Sequence, residues 1–184
     1  TAATLAGWDQ ANAENTDRIA LDAGNHALQL DPQSAAAMAG LGVVYSNQGE
    51  WQRSLDLLKR SSELSKDSSP IYFYGMVLQS VGYLSEARQA FLQAERLDPV
   101  YPQLQVFLGL NAMALGDLAA ARNYLQRGID GGNTNGLGGM FAMELDTSKP
   151  ESAIAYLEEI TALVDAGQAS GMQRQSADAI AAAI

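Results

Sequence analysis

Apolar and polar positions alternate along this chain with the period of amphipathic helices, broken at regular intervals by glycine. "SAAAMAGLGVVYSNQ" (34–48) places apolar residues at 38, 41, 44 and 45, one helical stripe. Gly49 follows, where a left-handed turn ends a helix at little steric cost. "WQRSLDLLKRSSEL" (51–64) then sets Leu55, Leu58 and Leu64 on one side of a second helix. Ser69-Pro70 and Tyr101-Pro102 put proline in the first turn of later helices, where its missing N–H is harmless.

The helix pairs recur. Gly42, Gly75 and Gly109 are 33 and 34 residues apart, and Gly49, Gly82 and Gly116 keep those steps. Ala20, Ser54, Ala87 and Ala121 step by 34, 33 and 34, as do Ala27, Ser61, Ala94 and Gly128. Small residues in fixed columns let two helix backbones approach closely. Many columns sharing one register predict an array of two-helix units. In the first unit Asn15 stands where the turn glycine is expected, as the next-best residue for that conformation.

The pattern resembles the tetratricopeptide repeat, a 34-residue helix-turn-helix unit. Leu41-Gly42 and Leu108-Gly109 match the Leu-Gly pair of that family's first helix, with Tyr74-Gly75 a variant. The family's aromatic three residues after the Gly is matched only by Tyr45. Ala87, Phe91 and Ala94 match the small-large-small triplet of its second helix; Ser54, Leu58, Ser61 and Ala121, Leu125, Gly128 are weaker copies. Pro32 and Pro99 match the closing proline, which is Lys66 in between. The first unit departs most, with Trp8 where Gly is expected and Gly24 where a large residue is expected. The resemblance implies an all-α, right-handed superhelix of antiparallel helix pairs, about ten or eleven helices, forming one domain over 1–184. Its parts are a divergent repeat at 1–34, repeats at 35–67, 68–101 and 102–133, and a divergent pair plus capping helix at 137–184.

"GGNTNGLGG" (131–139) holds five glycines in nine positions. A phosphate-binding loop needs a preceding strand and a following Lys-Ser/Thr. Here a helix precedes and "MFAMEL" follows, so the stretch reads as a flexible joint between units. Beyond it, Ser148 and Glu151 spell a capping box, with Pro150 in the first turn and Ala153, Leu157, Ile160 and Leu163 as the stripe. Gly167 ends that helix, and Met172, Ile180 and Ile184 mark a final one.

Composition adds mainly exclusions. Eleven basic against 21 acidic residues give a net charge of −10, which disfavours nucleic acid. There is no cysteine, hence no disulfide or thiol nucleophile. No run is apolar enough to span a membrane, and no signal peptide is visible. The chain begins at Thr1, so a trimmed mature form or an excised piece is expected. That leaves the cytoplasm open, or a bacterial periplasm if a signal was removed. The single histidine, His26, reads as a helix surface residue, and the adjacent Glu158 and Glu159 diverge around a helix. With no metal-ligand spacing either, no enzyme, metal or cofactor is expected.

The resemblance assigns peptide binding to the concave face lined by first helices. In this chain those positions include Val43, Asn47, Tyr72, Met76, Gln79, Val106, Leu110 and Met113. They contain no Lys or Arg, which disfavours the family branch that clamps a partner's terminal carboxylates. The lining, centred on Tyr72, Met76, Leu110 and Met113, suits an apolar stripe of a polypeptide. The expected role is a protein-interaction scaffold, with bacterial envelope assembly or secretion as its setting by fold analogy. Two alternatives stand beside it. The chain is a self-associating structural unit, its groove filled by its own C-terminal segment or a second copy, or an accessory domain of a larger enzyme or regulator.

Overall fold

The computed structural model describes residues 2–147 and 150–168. Nine helices and no strand are present among the described residues: α1 (Ala2–Leu30), α2 (Ala35–Asn47), α3 (Trp51–Leu64), α4 (Ser68–Ser80), α5 (Leu84–Leu97), α6 (Pro102–Ala114), α7 (Leu118–Asp130), α8 (Gly136–Asp146) and α9 (Pro150–Asp165). Two compact units, Thr1–Gln93 and Ala94–Ile184, divide within α5.

In the first unit α2 and α3 lie antiparallel and close together. The Ser54 hydroxyl donates to the Gly42 carbonyl at 2.7 Å, and the Ser61 hydroxyl to the Ala35 carbonyl at 2.6 Å. Both serines are fully buried. They stand in the small column and also bond the facing helix, so the second-helix triplet of this repeat is not a weakened one. Leu58 sits between them against Gly42, where a Cβ would come within 2.5 Å of its Cγ. Gly75 faces the Phe91 ring in the same way, at 2.6 Å. Of the expected stripe on α3, Leu58 is buried, while Leu64 in the last turn is 47 % exposed.

The second unit repeats the contact. Leu125 of α7 fills the space opposite Gly109 of α6, and Val106 packs where Gly128 lacks a side chain. A polar network fixes the lead-in to α6. Glu95 Oε1 accepts from Arg127 Nη1 at 2.9 Å and from Gln105 Nε2 at 3.3 Å, and the Pro99 carbonyl accepts from Arg127 Nη2 and from Gln105 Nε2, each at 3.2 Å. Glu144, buried on α8, pairs with Arg122 of α7.

The turn glycines behave as their spacing predicts. Gly49, Gly82, Gly116 and Gly167 have φ of 76, 90, 80 and 69°. Each is followed by an N–H reaching back five residues, as from Glu50 to the Tyr45 carbonyl at 2.9 Å. Gly132, with φ of 91°, ends α7 likewise. The glycine-rich stretch is therefore a helix end and a helix start rather than a loose loop. Gly136, Gly138 and Gly139 belong to α8, and Gly136 and Gly139 are glycine because Ile129 and Leu125 press against them.

One expectation fails at the start of the chain. Residues 2–30 form one continuous helix, with no turn at Asn15. Asn tolerates a left-handed turn but does not require one, and no Gly or Pro near it interrupts the helix. The capping role of Ser148 and the final helix with Met172, Ile180 and Ile184 lie outside the described residues.

The small column predicts a stability contrast. Ala87 is fully buried, so Ala87→Leu should destabilise by about 1–3 kcal/mol through overpacking. Gln93 is exposed, so Gln93→Leu should change stability by less than about 0.5 kcal/mol. Denaturant unfolding of both variants checks this; equal effects would show the register to be wrong.

Candidate binding surface

The eight positions expected to line a groove divide by their place relative to the first-helix glycine. The residue three before it is core in each of the three repeats that carry that glycine. Ala39 is 7 % exposed, Tyr72 3 % and Val106 2 %. The Tyr72 ring packs against Phe73 and Phe91, with centroids 5.3 and 6.2 Å away. Val106 belongs to a cluster with Ala112, Ala121, Leu125, Met140 and Met143. Tyr72 and Val106 are thus not groove residues. Residues three apart share a helix face, so this position faces the second helix together with the glycine.

The residues one and four after the glycine retain partial exposure. On α2 and α4, which contact each other, Val43 and Met76 occupy the first position and Ser46 and Gln79 the second. Asn47, five after the glycine, is exposed. The Gln79 amide oxygen is shielded from water and accepts no hydrogen bond among the described residues. In the second unit the equivalent residues are Leu110 and Met113. Both are partly buried and pack against the Val106–Leu125 cluster, so that face is less open than the sequence implies.

The surface contains little reactive chemistry. No group of three or more His, Cys, Asp or Glu that could hold a metal occurs among the described residues. No described helix is long and apolar enough to cross a membrane. His26 is exposed on α1. A groove of about 420 Å³ in the second unit is lined by Tyr101, Pro102, Gln103, the 131–135 turn and Gln168. Its side chains are neutral, and Asn133 donates to Gln103 across it.

Tetratricopeptide repeat models match residues 34–67 and 75–135. The chain belongs to the tetratricopeptide repeat family. Among solved tetratricopeptide repeat structures, TTC0263, a thermophilic protein of Thermus thermophilus, superposes with a TM-score of 0.75 at 20% identity, covering 92% of this chain and 93% of that one. MamA gives 0.66 at 20% identity, covering 80% and 88%. YrrB, described as having an unusual peptide-binding site, gives 0.62 at 19% identity, covering 82% and 79%. At such identities these likenesses establish the fold. No curated protein sequence matches.

The sorting of positions predicts unequal truncations. Tyr72→Ala should destabilise the protein by roughly 3–5 kcal/mol, as loss of a buried aromatic does. Met76→Ala, one turn further along α4, should cost less than about 1 kcal/mol. Thermal or denaturant unfolding measures both; a Tyr72→Ala protein as stable as the parent would return Tyr72 to the surface.

Proposed function

We propose that this chain is a non-catalytic protein-interaction module that binds a polypeptide segment along the first-helix face of its Thr1–Gln93 unit. The observation that carries the reading is the composition of that face. Val43 and Met76 are apolar and partly exposed on adjacent helices, and beside them lie two side-chain amides, Asn47 and Gln79. Apolar side chains suit the stripe of a helix or extended segment, and Met adapts to varied shapes. The amides suit the backbone of that segment, which always carries donors and acceptors. The Gln79 oxygen accepts no hydrogen bond among the described residues, and a rotation of its side chain toward the surface lets it accept from a peptide N–H. YrrB, with its peptide-binding site on the same fold, supports the class of ligand by analogy. The setting proposed from the family resemblance is bacterial envelope assembly or secretion.

A displayed random-peptide library, selected against the immobilised chain, tests the proposal. Selected peptides should carry spaced apolar residues and stay bound at about 1 M salt, where exposed charge attraction is screened. The double variant Val43→Asp, Met76→Asp should weaken them at least about tenfold, roughly 1.4 kcal/mol, with helical circular dichroism unchanged. Unchanged affinity in a folded variant, or loss of binding by salt alone, would overturn it.

A further inference from the structure

On its other side, the first unit has a groove of about 470 Å³ between its second helices. Lys59 and Glu63 of α3 form one wall and Glu86 of α5 the other; Ile71, Tyr74 and Leu78 of α4 contribute to its lining. Burial raises the Tyr74 phenol pKa above its usual value, and the charges of Glu63 and Glu86 raise it further. Two carboxylates on opposite helices thus act on one partly buried ring. Lys59, one turn before Glu63, forms no ion pair with it among the described residues.

The chain itself shows what such a surface accepts. Arg53 lies over the Tyr45 ring, 4.9 Å from its centroid, and pairs with Glu50 at 2.8 Å. Arg127 lies over Tyr124 at 5.6 Å and pairs with Glu95 at 2.9 Å. Each joins an aromatic face, a carboxylate and a guanidinium. Tyr74 has the ring and two carboxylates, and no arginine lies over it among the described residues.

We propose that this groove is a second protein-docking surface, which receives an arginine side chain of a partner polypeptide over Tyr74 and between Glu63 and Glu86. The guanidinium lies over the partly exposed Tyr74 ring within reach of both carboxylates, while Ile71 and Leu78, both buried, form the closed floor beneath it. The proposal is independent of the first-helix face and adds charge selection, which that neutral face lacks.

Acetyl-Leu-Arg-Leu-amide, titrated into the labelled protein and followed by NMR, tests it. Tyr74 ring signals should shift saturably. The citrulline peptide, of the same shape without the charge, should bind at least about tenfold more weakly. Glu63→Gln, Glu86→Gln should abolish the Tyr74 shift, whereas Glu158→Gln, Glu159→Gln, with the same loss of charge elsewhere, should leave it intact. Equal binding of the citrulline peptide, or equal loss in both double variants, would overturn the proposal. So would an arginine peptide that shifts many surface residues without saturating at Tyr74. Because Val43 and Met76 are not involved, this result and that for the first-helix face separate cleanly.

Discussion

Close approach of two helices at a glycine fixes most of what this chain is. Where Gly42, Gly75 and Gly109 lack a side chain, Leu58, Phe91 and Leu125 enter. Those three are fully buried, and the small residues that flank them in each second helix are buried as well. A large residue filling each gap removes apolar surface from water while keeping the backbones near enough for Ser54 and Ser61 to bond the facing carbonyls. The turn glycines then allow each pair to close with satisfied carbonyls. None of these three helix pairs could be this close with a bulky residue in the column.

That constraint also decides what is left for binding. A first helix shows one stripe to its own second helix, and the residue three before the glycine is on that stripe. Tyr72 and Val106 are consumed there, although both look like binding residues in the bare sequence. The next residues around the helix, Val43 and Met76, escape, and so do Asn47 and Gln79. Around the other side, the second helices leave a groove that carries Glu63 and Glu86 against the single cation Lys59. Two surfaces of different chemistry thus follow from one packing rule, one neutral and apolar, one acidic with an aromatic ring.

The repeat register was legible in the sequence because backbone proximity and left-handed turns demand glycine and small residues at fixed intervals. Gly49, Gly82 and Gly116 announced their turns, and Ala87 and Ala121 their burial. Exposure was less legible. The family's binding columns were carried over by position, but the 3–4 spacing that joins Tyr72 to Gly75 and Val106 to Gly109 already placed both on the inner stripe. Asn15 was read as a turn from its place in the repeat register and its tolerance of a left-handed conformation, but nothing in its surroundings obliged the helix to break. The groove at Tyr74 could not be read at all, because Glu63 and Glu86 meet only through the packing of α3 and α5 on α4.

The most direct test uses the absence of cysteine from the chain. Single cysteines placed at Ala39, Val106, Val43 and Met76 report accessibility through the rate of thiol labelling. The account predicts that cysteines at 43 and 76 react at rates typical of partly exposed thiols, and that those at 39 and 106 react at least about tenfold more slowly. Similar rates at all four positions in folded protein would contradict it, because the residue three before each glycine would then not be core.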